Sequence, residues 1–316
     1  MIGSRVSKFY RMIAILLVIA SHYAGWMFVE PVHQRAHDIV ATFGPYGVDI
    51  FFLLSGYGLY KSAEKNGMSW SFVLKRFMGA YLPYVLVIVG LNIWTGGIAE
   101  LESDGWFNLL TGMDYWYMNV IFIFYIMFIV CWLLPKKVRV AAITLAIVLL
   151  SVWYYVIERH DFWMLSNASF LIGIYAAAFE AKYPERIKSI YVKLSIFAVS
   201  LVGFIVCVIM QNRLAGYADM ASFVFELVSN VFFTLVILAL CLLTPNAKYL
   251  PTLIGGQSLF IYIFHQTFFW QMTVKFEGME YAKMAVIIAL LTLLIATVMG
   301  IIYERLLKLF YKVVKI

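Results

Sequence analysis

The sequence predicts an all-α, polytopic transmembrane helical bundle of about ten spans, with both termini on the cytoplasmic side. Three observations predict it. Of the 316 residues, 64% are hydrophobic and 13% charged, and the mean hydropathy is +0.89; a soluble domain is about half apolar and a quarter charged. Apolar runs long enough to cross a bilayer, about 20 residues, recur along the whole chain. Lys and Arg are distributed with a consistent sidedness, as the positive-inside rule requires.

The runs lie near 9–29, 46–60, 77–95, 116–134, 138–157, 162–179, 189–210, 222–243, 257–274 and 284–304. The first follows a basic start and lacks a small-x-small cleavage site, so it reads as a retained helix rather than a removed signal peptide. The second is short and glycine-rich, which predicts a tilted, broken or partly re-entrant helix buried in protein. The third opens on Lys75 and Arg76 and contains Pro83. No polar stretch is long enough for a soluble domain, and no repeat or low-complexity segment interrupts the pattern, so residues 1–316 read as a single integral-membrane domain.

With the N-terminus inside, 19 of the 24 Lys and Arg residues fall in inner segments, and Arg35, Arg159, Arg213, Lys275 and Lys283 are left outside. The same bias accounts for the net charge of +7 without a nucleic-acid partner. Cys131, Cys207 and Cys241 sit in apolar runs without metal-ligand or redox spacing, which predicts neither a metal site nor a disulfide framework. The expected location is the cell (plasma) membrane, crossed many times.

Ionisable residues inside spans are costly and mark function by default. His22 follows Arg11 by eleven residues in the first run. That is close to three helical turns, so both project from one face, roughly 16 Å apart along the axis. An imidazole titrates near neutral pH and can act as general base; an arginine at the inner end can also simply snorkel. Asp49 stands near the outer end of the second run, at the expected depth of His22. There it can orient the imidazole or cap a helix. Ser55 is a weaker candidate, since no hydrolase-type elbow surrounds it. Lys75 and Arg76, with Arg11, make a cationic inner mouth suited to phosphate groups, although positive-inside topology accounts for each of them singly. Glu226 and His265 are candidate lining residues, or structural interhelical hydrogen-bond partners. The outer segment 96–115 carries Glu100, Glu102, Asp104, Trp106 and Asp114; it reads as a sugar-binding loop or as an interfacial aromatic belt with solvated acids.

On these residues the chain resembles the membrane acyltransferase-3 family, which includes bacterial sugar and polysaccharide O-acetyltransferases. The most specific features are Arg11 and His22 with ten residues between them, and Gly47-Val48-Asp49-Ile50-Phe51-Phe52-Leu53-Leu54-Ser55-Gly56-Tyr57. Lys75-Arg76 to Pro83, Trp116-Tyr117, Gly173 and Ser258 to His265 fall in family-like order. Lys8, Met12, and Gly79 with Ala80 depart from residues common in the family.

The resemblance implies transfer of an acyl group, acetyl first of all, from cytoplasmic acetyl-CoA to a hydroxyl of a cell-surface carbohydrate or its lipid-linked precursor. Arg11, Lys75 and Arg76 would hold the donor, and His22, helped by Asp49, would take the acceptor proton or carry the acyl group. The composition alone fits a second class as well, a transporter or flippase for a lipid-linked or anionic small molecule.

Overall fold

The computed structural model describes residues 2–26, 34–100, 102–159, 162–244, 249 and 251–314; the side chains of Ile98 and Glu100 are outside that description, as are Lys248 and Lys315 of the inner basic set. The described residues form helices and no strands. In chain order the helices are α1 (Ser4–Trp26), α2 (Gln34–Ala41), α3 (Gly44–Asn66), α4 (Trp70–Arg76), α5 (Leu82–Thr95), α6 (Ser103–Thr111), α7 (Trp116–Trp132), α8 (Arg139–Val156), α9 (Phe162–Leu165), α10 (Asn167–Lys182), α11 (Pro184–Lys188), α12 (Ile190–Leu214), α13 (Asp219–Leu243), α14 (Leu253–Gly256), α15 (Ser258–Lys275) and α16 (Tyr281–Val314).

Among the described residues, eight helical stretches are long and apolar enough to cross a membrane, or nine if α6 and α7, bent by 65° at their break, count as one span. This agrees with the expected all-α polytopic bundle of about ten spans, two of the expected runs being too short or too polar to count on their own. The difference lies in two helices. α7 has 17 residues and reaches spanning length only with α6. α15 has 18 residues but carries His265, Gln266, Thr267 and Gln271. Most of the helix is enclosed by protein, where His265 meets His22 and Thr267 meets the Tyr115 hydroxyl, so these polar groups are tolerated at membrane depth.

Contacts group the chain into two compact units. The first comprises residues 1–10, 45–68 and 123–250. Its longest packed pair is α12 with α13, and α10 packs on α8 and α13. Of the tilted, broken or partly re-entrant forms expected for the second span, the broken one is ruled out: α3 is a continuous 23-residue helix, largely buried in protein as expected. Its Gly56 does not break the helix; it admits a neighbouring backbone. A Cβ there would lie 2.2 Å from the Phe170 carbonyl oxygen, and one on Gly173 would lie 2.2 Å from that of Leu53. The two glycines thus bring α3 and α10 into backbone contact, the close approach that small residues permit between membrane helices. Further along the same pair, Tyr57 donates to the Glu180 carboxylate, which also accepts from Lys61 at 2.8 Å.

The second unit comprises residues 11–44, 69–122 and 251–316. In it α15 packs against α5 and α16. A π-helical turn, Phe77–Tyr81, separates α4 from α5. Pro83, near the start of α5, has no N–H to donate and its ring crowds the carbonyl four residues back. Widening that turn accommodates the proline without ending the helix. α16 runs for 34 residues, about 51 Å at 1.5 Å per residue, which exceeds a hydrocarbon core of about 30 Å. Its last turns carry Arg305, Lys308, Tyr311 and Lys312, and its Tyr303 hydroxyl donates to the Met78 carbonyl in the π turn.

Of the acidic residues expected outside, Glu102, Asp104 and Asp114 are exposed, and Trp106 is partly exposed on α6.

Candidate functional site

Five of the residues singled out from the sequence, Arg11, His22, Lys75, Arg76 and His265, belong to the second unit; Asp49, Ser55 and Glu226 belong to the first. His22 lies one turn from the end of α1, and His265 lies in the middle of α15, buried at 1% exposure. Their rings are nearly coplanar in orientation, 7° apart, with His22 Nδ1 2.7 Å from His265 Nε2. The other nitrogen of His265, Nδ1, meets the main-chain carbonyl of Tyr262, one turn back on the same helix.

These contacts fix where the protons are. A carbonyl oxygen only accepts, so His265 Nδ1 must carry a proton and donate it. In the neutral ring Nε2 is then the acceptor. The proton in the 2.7 Å contact therefore sits on His22 Nδ1. Neutral His22 is left with an unprotonated Nε2, and no described residue partners that atom. This tautomer follows from the hydrogen-bond network. It is the form in which an imidazole can take a proton, or attack a carbonyl carbon, through Nε2. When Nε2 gains a proton, Nδ1–H still faces a neutral acceptor, which stabilises the imidazolium as a carboxylate does in a triad, with less charge to bury.

The surroundings hold both rings in place. Trp26, four residues after His22 on the same helical face, stacks on it with centroids 4.8 Å apart at 22°. An indole face favours a cation above it, and so supports the protonated form. The Tyr23 ring lies against Phe269 at 4.4 Å, and its hydroxyl reaches Thr292 of α16 at 3.0 Å. α1, α15 and α16 are thereby tied together around the pair. Trp26 also lies 5.6 Å from Trp270, which is 47% exposed.

Arg11 is half-buried on α1, on the face it shares with His22. Lys75 is exposed at the end of α4, and Arg76 is half-buried beside it. The Arg76 guanidinium sits 5.2 Å above the Phe72 ring, within electrostatic range of Tyr311. Its Nε is buried and has no hydrogen-bond partner among the described residues. A buried guanidinium nitrogen without an acceptor is costly, and an incoming anion would supply one.

Asp49 is fully buried in α3, and its Oδ1 meets the Ser169 hydroxyl at 2.7 Å. The described partners of His22 and Asp49 are thus separate groups, with His265 in the place on the His22 ring that the sequence reading gave to the carboxylate. Ser55 is half-buried with no described hydrogen bond from its side chain. Glu226 is half-buried on α13, close enough to Tyr46 to act on it electrostatically. Among the described residues no group of three or more His, Cys, Asp and Glu side chains is placed to hold a metal ion.

The sequence reading missed Trp26, Tyr23, Tyr262 and Thr292. The four-residue step from His22 to Trp26 and the three-residue step from Tyr262 to His265 were visible as helical neighbours; nothing in the sequence pointed to Thr292.

A family model described as an acyltransferase domain matches residues 9–304, nearly the whole chain and parts of both units. No curated protein and no solved structure matches the chain.

Proposed function

The chain belongs to the membrane acyltransferase-3 family, and from that premise we propose that this multi-pass membrane acyltransferase moves an acetyl group from acetyl-CoA to a hydroxyl of a cell-surface carbohydrate or its lipid-linked precursor. The transporter alternative set out from composition has no support in the family match. The single observation that carries the mechanism is the ordered chain His22 Nδ1–H to His265 Nε2 and His265 Nδ1–H to the Tyr262 carbonyl, because it leaves His22 Nε2 as a free base.

In the proposed reaction the acceptor hydroxyl attacks the thioester carbonyl carbon while His22 Nε2 takes its proton. The new C–O bond forms, the C–S bond breaks, and the proton returns to the departing CoA sulfur. His265 stabilises the transient imidazolium through the Nδ1–H hydrogen bond, and Trp26 does so through its ring face. Arg76 and Arg11, with Lys75 at the exposed edge, bind the donor's phosphates; the unpartnered Arg76 Nε supports that assignment. Arginine suits the task because its planar fork matches phosphate oxygens. The eleven-residue separation on α1 gives about 16 Å from Arg11 to His22, a length a pantetheine arm can bridge. Trp26 and the partly exposed Trp270 offer apolar faces on which a sugar ring can stack. On this reading both termini, the basic mouth and the donor face the cytoplasm and the protein sits in the cell membrane, a sidedness that the positive-inside pattern supports.

The test is release of CoA by the purified protein in nanodiscs, supplied with acetyl-CoA and a surface-glycan preparation. His22→Ala is expected to lose turnover by about a hundred- to ten-thousand-fold, the usual span for a general base. Unchanged turnover in a folded variant would remove His22 from the reaction. Mass spectrometry of surface glycans with and without the protein identifies the acceptor.

A further inference from the structure

The first unit contains a second run of buried polar atoms that the proposed reaction does not use. Asp49 and Thr234 are fully buried, and Ser169 is 1% exposed. Asp49 Oδ1 lies 2.7 Å from the Ser169 hydroxyl, which lies 2.7 Å from the Thr234 hydroxyl, which lies 2.8 Å from the Asn230 carbonyl oxygen. The three contacts link α3, α10 and α13. No lysine, arginine or histidine is a described partner of Asp49. The Ser166 hydroxyl is also beside the carboxyl group, and 3.4 Å from the Pro45 carbonyl. Asp49 Oδ2 is buried and, among the described residues, no group lies within hydrogen-bonding geometry of it.

Counting protons decides between the two states of the carboxyl group. Three oxygen–oxygen contacts of 2.7–2.8 Å need three hydrogens, since oxygens that close without a hydrogen repel. The Asn230 carbonyl has none to give. Ser169 and Thr234 bring one each. With Asp49 ionised there are two hydrogens for three contacts, and one contact is left as facing lone pairs. With Asp49 protonated on Oδ1 the count closes: Asp49 donates to Ser169, Ser169 to Thr234, and Thr234 to Asn230. The bare Oδ2 is then the carbonyl oxygen of a neutral acid rather than half of a buried charge without a cation, the costlier state.

We propose that Asp49 is held as a neutral carboxylic acid and acts as a hydrogen-bond donor, a positioning residue that clasps α3 to α10 and α13 through Ser169 and Thr234. The inference concerns the first unit and stands whether or not the acyl-transfer mechanism proposed for His22 is correct.

Infrared spectroscopy of the protein in nanodiscs at about pH 8 tests it. Exposed aspartates are ionised there, given an unperturbed value of about 3.9, and the described others, Asp38, Asp104, Asp114 and Asp219, are exposed. The expected result is a free-acid carbonyl band that shifts when aspartate carboxyl carbons carry ¹³C and disappears in Asp49→Asn. Ser169→Ala, which removes the acceptor, should move the band in frequency. Should Asp49→Asn fail to fold, labelled Asp114→Asn/Asp161→Asn carries the test: a band that persists there belongs to Asp49, and one that is lost would overturn the proposal. Absence of a label-sensitive band in wild type would overturn the proposal, and melting that then depends on Na⁺ concentration would point to an ionised carboxylate with a bound cation. A band that persists unchanged in folded Asp49→Asn would also overturn it.

Discussion

Replacing His265 by alanine removes the one described acceptor for His22 Nδ1–H, at 2.7 Å, and the size of the effect can be worked out. In the ground state that bond joins two neutral rings. In the transition state His22 gains a proton and the same bond is made by an imidazolium. A hydrogen bond to a charged group contributes about 1.5–3 kcal/mol, and each 1.36 kcal/mol is tenfold in rate. About 0.5–1.5 kcal/mol is already present in the neutral ground-state bond, and only the difference, about 1–1.5 kcal/mol, bears on turnover, which should therefore fall about 5- to 15-fold. His265 is 1% exposed, so bulk water cannot freely take over the role. The donor-binding residues are untouched, so KM for acetyl-CoA should stay near wild type. His265→Gln, which offers an acceptor oxygen, should recover part of the loss. The double variant His22→Ala/His265→Ala should be no slower than His22→Ala, because groups acting as a unit are not additive. Coupled CoA-release kinetics with separate kcat and KM measure all four. Wild-type kcat in a folded His265→Ala, or additive losses in the double variant, would refute the assignment of protons argued from the Tyr262 carbonyl.

Substituting alanine for Gly56 or Gly173 places a methyl 2.2 Å from a backbone oxygen; overpacking of this kind costs about 1–3 kcal/mol, read as a lower melting midpoint in detergent. Gly58→Ala meets nothing within 4 Å and should raise the midpoint slightly, because glycine in a helix interior is less stable than alanine by about 0.5–1 kcal/mol. Arg76→Gln should raise KM for acetyl-CoA by about tenfold or more, from loss of a charge-assisted phosphate contact worth about 1.5–3 kcal/mol, with kcat little changed; Lys75→Gln, being exposed, should change KM less. Trp26→Leu should lower kcat by about 2- to 30-fold if the indole supports the imidazolium, since such contacts contribute about 0.5–2 kcal/mol, and an unchanged kcat would assign the ring to packing alone.

Composition and hydropathy sufficed to identify a polytopic helical membrane protein, and the Arg11–His22 spacing located the catalytic candidate. What lay beyond them depended on partners that a single chain segment does not reveal. Gly56 read as a weak point in a short helix because glycine has two opposite uses, loosening a backbone or admitting another one; the Phe170 carbonyl decides for the second. Asp49 read as the partner of His22 because the two runs suggested equal depth, and depth alone does not say which groups a side chain meets. The described bond of Asp49 goes to Ser169, and that of His22 to His265. α15 read as an ordinary span although its polar residues lower its hydropathy, and the structure shows why it tolerates them: the helix is mostly enclosed, and one of its own carbonyls anchors His265.

The two polar runs share a device. Each ends on a main-chain carbonyl that already lies in a helix, Tyr262 in one and Asn230 in the other. A carbonyl cannot donate, so it fixes the direction of every hydrogen bond upstream of it. In the second unit the direction leads back to His22 and leaves its Nε2 bare. In the first it leads back to Asp49 and requires that the acid keep its proton. Neither run needs a buried counter-ion, which is the expensive element of a polar site in a membrane. A protein that must hold a base ready at depth while keeping its resting charge low can do so by the placement of carbonyls alone. On this reasoning a carboxylate beside His22 would be a poorer choice than His265. Before each turnover it would bring an unpaired negative charge into the apolar interior, whereas the neutral pair acquires charge only when the acceptor gives up its proton.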